Sequence, residues 1–546
     1  MLPIVLSLSL AQATTLTVGP NGAFATLQDA ADAADDGDTL QLEAGLFFDC
    51  LDLSDRSLTL VGAGQQATFL YGQCEAGTLV AQGGSLTVEA VSFDNRVGPS
   101  VRAVGANTSL HSVEVNGGEG PLGAVSIEGG HTVIESSELS FNNGQQGAAI
   151  RAVGLAPSSS SMVIRDCSFQ ENATTHDGGA VWLQNIADVQ VTGSRFDRNA
   201  AQVDGGALVV LGAESTRIAD TSFTANVADG NGGALFASQA GDVTLDGVTF
   251  SNGIAIQDGG GLYLHGAGVV AMSGVSLLEN RAGSSGAAYI AEADWVSVSD
   301  SDIDANESDG AVAGLSVADV ATLDLARVSF HGNRATGSVA ALRAEGSGQV
   351  SFLDSYFGWN RTGGSNASFY VDADDVTIEG TEITYGRVAN ARGTGSTGFE
   401  IHAINVDADA LNVTHHFSPR SPAGGAIVAD SVVIGDSLVS HNDTTYGSAG
   451  IDIVAPSIHI HDTWFTSNRS SGPGASLTVA GHAQTLVERV NMGHRPTLEG
   501  VYPTRGDGLR VQPVGEGLEA GHLVIRSSVF AGIGGSAVYS EGDVYL

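Results

Sequence analysis

The sequence predicts an all-β chain folded as a parallel β-solenoid with about 27 residues per rung, and three observations carry that prediction. First, residues 162–283 repeat with a fixed step: Phe169, Phe196, Phe223, Phe250 and Leu277 stand 27 apart, and so do Gly178, Gly205, Gly232, Gly259 and Gly286. Second, apolar residues alternate with polar ones at the period of a strand, with no helical period. Val189 and Val191, Thr216 and Ile218, Val243 and Leu245, and Val270 and Met272 share one parity, while Asp188, Gln190, Asp242 and Thr244 take the other. Third, Asn172, Asn199, Asn226 and Asn280 hold a fixed place three residues after the Phe or Leu. A lone unit of three short strands cannot bury its apolar face, so equivalent residues of successive units must stack into ladders around one core.

Each recurring residue then has a structural reason. The glycines supply positive φ or close backbone approach at the corner before the first strand. The asparagines can satisfy backbone groups left unpaired at a turn and bond to the amide stacked above them. Phe, Gly and Asn ladders therefore read as scaffold before they read as site.

The chain begins with an apolar run, Leu2 to Leu10, followed by Ala11-Gln12-Ala13, so residues 1–13 read as a signal peptide. Residues 14–45 read as an N-terminal cap. A strand leads to an Ala-rich helix at about Phe24 to Ala34, Asp36-Gly37-Asp38 turns the chain, and a second strand follows. Phe24, Leu27, Ala30, Ala31 and Ala34 fall on one helical face, which would cover the open end of the solenoid. Residues 46–546 are repeats. They decay through Ile303, Phe330, Phe357 and Ile383, loosen between Tyr385 and Gly398, and recover at Gly424-Gly425-Ala426, Leu438 and Phe465. Residues 492–521 loosen again, and the chain stops at Leu546 within a rung, which reads as an uncapped or truncated end. A solenoid lengthens by adding rungs, so the 546 residues read as one elongated domain of about 19 rungs.

Here the residues carry a family resemblance. The capping helix ahead of Gly37-Asp38-Thr39 resembles the N-terminus of right-handed parallel β-helix proteins of the pectate-lyase-like superfamily. Phe169-Gln170-Glu171-Asn172, paired with Gly178-Gly179-Ala180-Val181 and repeated in the two units after it, resembles the polymorphic outer-membrane protein repeat. The right hand of the solenoid is implied by that resemblance. Function is not fixed by it, since the superfamily includes lyases, hydrolases, epimerases and adhesins.

Net charge is −39, and all 22 basic residues are Arg. Such a surface repels nucleic acid and anionic lipid, which removes both as partners. No run approaches the 18 apolar residues of a transmembrane helix. Cys50 and Cys74 lie 24 apart, close to one rung, and a disulfide between them suits an exported protein. Cys167 is left over and shares the parity of Phe169, the place of a buried small apolar residue.

Few residues converge on chemistry. The resemblance implies, for a lyase, clustered carboxylates holding calcium beside an Arg or Lys base, and for a hydrolase, close-set Asp pairs with a His and an Arg. Asp300, Asp302 and Asp304 share one strand parity with Asn306 following, so calcium is the cofactor this triplet would take; the competing reading is plain outward-facing acids. Ala305 and Ala311 depart from the EF-hand pattern. Asp372, Asp374 and Asp375 form a second acidic group. His415, His416 and His441 fall near one corner when Leu411 and Leu438 are aligned, and His459 and His461 share a parity; zinc or acid–base chemistry competes with solvated or corner-stacking roles. Arg505-Gly506-Asp507 is an adhesion-like tripeptide that arises easily by chance. Trp182, Val209, Phe236, Tyr263 and Ile290 align at one position of the first strand, with apolar residues on both sides. Either Trp182, Phe236 and Tyr263 mark an outward ligand stripe suited to a sugar or a protein partner, or this column points inward or is covered by a loop.

The function expected is an exported, surface-associated rod that binds or displays, similar to polymorphic outer-membrane protein adhesins, with a polysaccharide or a cell-surface protein as partner. The second reading is an extracellular polysaccharide lyase or glycoside hydrolase, and a structural spacer is the third.

Overall fold

The computed structural model describes residues 13–155, 160–388, 396–419, 422–445, 447–470, 475–480, 484–493, 507–512, 522–531, 533, 536–540 and 544–545. The chain is a parallel β-solenoid of about 18 turns with about 27 residues per rung. A single helix stands among the described residues, and it is not long and apolar enough to cross a membrane. Two compact units are distinguished, one of residues 1–202 and 207–215, the other of residues 203–206 and 216–546.

In the first unit, strand Thr15–Val18 pairs in parallel with Thr39–Leu42, and the helix Leu27–Ala33 lies between them in sequence. The helix is shorter than its composition predicts. Thr26 is its N-cap, its hydroxyl accepting from the Asp29 N–H at 3.2 Å, and the Leu27 N–H donates to the Asp49 carboxylate. Phe24 therefore lies outside the helix, in a bridge with Val18, while Leu27, Ala30 and Ala31 are buried. Arg56 donates to the carbonyl of Ala31 near the C-terminal end, where a cation is favoured. Cys50 and Cys74 are joined, their Cα atoms 6.5 Å apart.

One rung of the second unit shows how the sequence makes the coil. Leu262–Ser273 runs as one long strand, followed by Ser276–Leu278 and the two-residue Arg281–Ala282, each pairing in parallel with its counterpart on the next rung. Val243, Leu245, Val270 and Met272 are buried, and Asp242 is exposed, as the alternation predicts. Phe223 and Phe250 stack at 4.9 Å, and Phe330 and Phe357 at 4.7 Å, at the rise of one strand spacing.

Asparagine works as its spacing implies. Asn306 donates from its backbone N–H and its amide to Asn333 Oδ1, and its Nδ2 also reaches the carbonyl of Leu277. In the first unit Asn142 donates in the same way to Asn172 Oδ1, and Asn172 to Asn199 Oδ1. Ahead of the ladder position, held by Asn on most rungs, by Gly386 on one and by His416 on another, the chain passes through left-handed φ at residues that are mostly not glycine: Glu279, Ala305, Trp359, Tyr385, His415 and His441 all lie between +53° and +61°. That conformation costs roughly 1 kcal/mol per non-glycine residue, and the ladder hydrogen bonds offset it.

Two registers differ from the sequence alignment. Tyr289, not Ile290, pairs with Tyr263, because that rung is 26 residues long: Gly261 and Leu262 both donate to the carbonyl of Ala287. Val439, not Leu438, fills the Phe position and is fully buried, and Leu411 stands over Ser437.

Candidate functional site

First strands of the second unit bury alternate residues, such as Leu262 and Leu264 or Phe399 and Ile401. The residue between them faces outward. Registered pairing places Phe236, Tyr263, Tyr289, Ser316, Arg343, Tyr370 and Glu400 in one column on successive rungs. Phe236, Tyr263 and Tyr289 stack with centroids 5.0 Å apart and planes within 16°, so they cover one another's faces and present edges and phenol groups outward. Burial pushes the Tyr263 and Tyr289 phenols up, and the Asp258 carboxylate adds to the effect at both. Both therefore remain hydrogen-bond donors at neutral pH.

Further along, the column turns polar. Arg343 pairs with Glu345 at 2.5 Å, and Glu400 Oε1 lies 2.9 Å from His402 Nε2 while its Oε2 accepts from the Asn366 amide at 3.1 Å. The Tyr370 and His402 rings are 5.7 Å apart, and burial, then the Asp372 carboxylate, push the Tyr370 phenol up. The arrangement offers a cation, an oriented imidazole and a protonated phenol on one surface. Sequence reading missed this group. Arg343 and Tyr370 are 27 apart but Glu400 follows after 30, so a longer rung breaks the step; the signal was their common place after Leu342, Phe369 and Phe399.

The residues singled out from sequence are distributed as follows. In the first unit Trp182 points outward but is only 3% exposed: the Arg151 guanidinium lies 5.3 Å from its ring, and a Cβ at Gly178 would come within 3.0 Å of its own. Phe236 and Tyr263 are half-buried members of the second unit's column.

Asp300, Asp302 and Asp304 are not drawn together. Asp300 sits at a left-handed corner clasped by Arg327 at 2.6 and 2.8 Å, which holds its carboxyl below the usual range. Asp304 lies 3.1 Å from His331 Nδ1, and Asp302 is exposed. Asp375 accepts from the Asn405 amide, and Asp372 and Asp374 are exposed. No group of three metal-ligating side chains occurs among the described residues.

The histidines separate by role. His415 and His441 stack at 5.0 Å on the corner, whereas His416 occupies the Asn-ladder place and is buried. His459 and His461 are 5.0 Å apart, each beside a carboxylate, Glu488 and Asp462. Arg505 and Gly506 of the tripeptide, like residues 1–12 of the signal-like segment, lie outside the described residues.

Comparison with known proteins follows the same lines. The Chlamydia polymorphic membrane protein (Chlamydia_PMP) repeat matches residues 220–238, the segment holding Phe223, Asn226 and Gly232-Gly233-Ala234. Comparison with curated proteins finds no match. Among solved structures, the PL6 family alginate lyase AlyGC is 9% identical, with 97% of this chain and 100% of that one covered and a TM-score of 0.32. A point mutant of the same lyase is 10% identical over the same shares, with a TM-score of 0.28. The chain is a parallel β-solenoid that carries a repeat similar to that of the Chlamydia polymorphic membrane proteins.

Proposed function

We propose that this protein is an exported, surface-associated β-helix rod that binds an extended polysaccharide along the first-strand column of its second unit. The observation carrying this reading is the unbroken register from Phe236 to Glu400, in which ring edges and phenol donors, then one hydroxyl, one guanidinium, a further phenol and one carboxylate, follow one another at the rung spacing. A repeating polymer meets such a column with many weak contacts, each repeated every roughly 4.8 Å. The signal-like residues 1–13 and the polymorphic membrane protein repeat support placement at the cell surface. To test it, soluble polysaccharides are passed over the immobilised chain with and without calcium. The double substitution Tyr263→Ala with Tyr289→Ala should cut retention roughly tenfold, a loss of about 1.4 kcal/mol. Unchanged retention would remove the column from the reading.

The Glu400–His402 hydrogen bond beside Tyr370 and Arg343 favours a second reading, a lyase. There Arg343 would neutralise a uronate carboxylate, His402 would take the ring proton and Tyr370 would protonate the departing glycosidic oxygen. Formation of unsaturated chain ends from a polyuronate, abolished by His402→Ala, would establish it; absence of such ends would leave the binding rod.

A further inference from the structure

A second aromatic ladder lies on a different corner of the rung, ahead of the Asn ladder. Trp359, Tyr385, His415 and His441 stack on successive rungs with centroids 4.4, 4.7 and 5.0 Å apart and interplanar angles of 12°, 17° and 7°. They are outside the core: Trp359 is 53% and Tyr385 40% exposed. Rings stacked so closely hide their inner faces, so only an end of the ladder can offer a face to a ligand.

Trp359 is such an end. The rung before it places Gly332 in this column, whose N–H donates to the Gly358 carbonyl, and the rung before that places Ala305. Glu279, exposed, precedes Ala305. Between the indole and Glu279 the column thus carries nothing larger than a methyl group, a slot roughly two strand spacings, or about 10 Å, long. Its edge is polar: a Cβ at Gly332 would lie 3.2 Å from Asp304 Oδ1, and that carboxylate pairs with His331. A flat apolar face backed by stacked rings, with a carboxylate and an imidazole at its rim, suits a sugar ring, whose C–H face and hydroxyl edge differ in the same way. The acidic rim and the net charge of −39 select against uronates.

We propose that the uncovered face of Trp359 is a stacking platform for a neutral pyranose of a polysaccharide, with Asp304 and His331 receiving its hydroxyls. This goes beyond the first-strand column and stands even if that column proves inert.

The test uses the full chain and calorimetric titration with cellohexaose, xylohexaose, mannohexaose and hexagalacturonate. At least one neutral hexasaccharide should bind, and Trp359→Ala should weaken it at least tenfold. Gly332→Tyr should weaken it similarly by covering the platform while keeping the stack, since Tyr385 already occupies this column at left-handed φ. Trp295→Ala, removing an exposed indole on the strand Trp295–Ser299, should leave it within twofold, and circular dichroism checks that each variant is folded. No binding of any neutral hexasaccharide, binding insensitive to both platform substitutions, or equal Trp359-dependent binding of hexagalacturonate would overturn the proposal.

Discussion

His416 reaches back to place Nε2 3.2 Å from the carbonyl oxygen of Ile383, 33 residues earlier in the chain. It does there what an asparagine does on other rungs, and its own N–H donates to Asn442 Oδ1. The larger ring fits because Gly386 stands in the ladder on the rung below; a Cβ there would lie 2.6 Å from Nδ1. Burial of the whole imidazole pushes its pKa down to about 4.

Acid sensitivity follows from that seat. His416 stays neutral in the fold, while the unfolded chain takes up a proton below about pH 6.5, so unfolding binds the extra proton. Stability from this group is complete above pH 6.5 and declines as pH falls towards 4, by about 3 kcal/mol in all at 1.36 kcal/mol per unit. Urea melts at pH 7, 5 and 4 should show the decline, and His416→Asn should flatten it. An equally steep decline in that variant would place the acid sensitivity elsewhere.

The Asn ladder makes a sharper prediction at Asn333. Its amide oxygen accepts from the N–H and Nδ2 of Asn306, and its Nδ2 reaches Ile303 O and Asn360 Oδ1. Asn333→Ala strands several of these buried partners at once and should cost roughly 3 kcal/mol. Amide hydrogen exchange should accelerate first at Asn306, whose N–H loses its acceptor. Unchanged protection there would mean that the ladder contributes shape without stability.

Much of this architecture was legible because a solenoid writes one rung many times. Phe169, Asn172 and Gly178 have counterparts 27 residues on, so a single sequence acts as its own comparison. Legibility failed where the step changed. The 26-residue rung moved the column from Ile290 to Tyr289, and the longer rung before Glu400 hid its alignment with Tyr370. The corner conformation was hidden for another reason. Trp359 and Tyr385 adopt positive φ although neither residue type announces it, because the ladder Asn that follows Trp359 sets the turn. The exposed Trp359 ladder was missed since its members change type from rung to rung and share only their place before that turn.

The Phe column tolerates shape better than loss. Phe330 and Phe357 stack at 4.7 Å in the core, yet Leu277 and Ile303 fill the same column on preceding rungs. Phe330→Leu should therefore cost under about 1.5 kcal/mol, as a replacement the neighbouring rungs already accommodate. Phe330→Ala should cost roughly 4 kcal/mol through the cavity it leaves. Paired urea titrations measure the gap, and equal losses from the two would show that ring stacking, not volume, holds the column.

Cysteine reactivity separates the two structural roles. Cys167 lies in a column that Ser137 and Ser194 occupy on adjacent rungs, and those hydroxyls donate to the carbonyls of Glu135 and Thr192 as the Cys167 thiol donates to Arg165 O. Burial pushes its pKa up to about 12, so almost no thiolate forms at pH 8 in the folded chain. Native protein should resist iodoacetamide at pH 8. Urea without reductant should expose one thiol, Cys167, and urea with reductant all three, because Cys50 and Cys74 are bonded. Reduction should remove roughly 3 kcal/mol, the expected effect of opening a loop of this size. Cys167→Ser should stay within about 1 kcal/mol of the parent, since serine is what the column holds on both sides. Alkylation of Cys50 or Cys74 without reductant would contradict the pairing, and a large loss in Cys167→Ser would show that the sulfur packs as an apolar group and not as a hydroxyl in disguise.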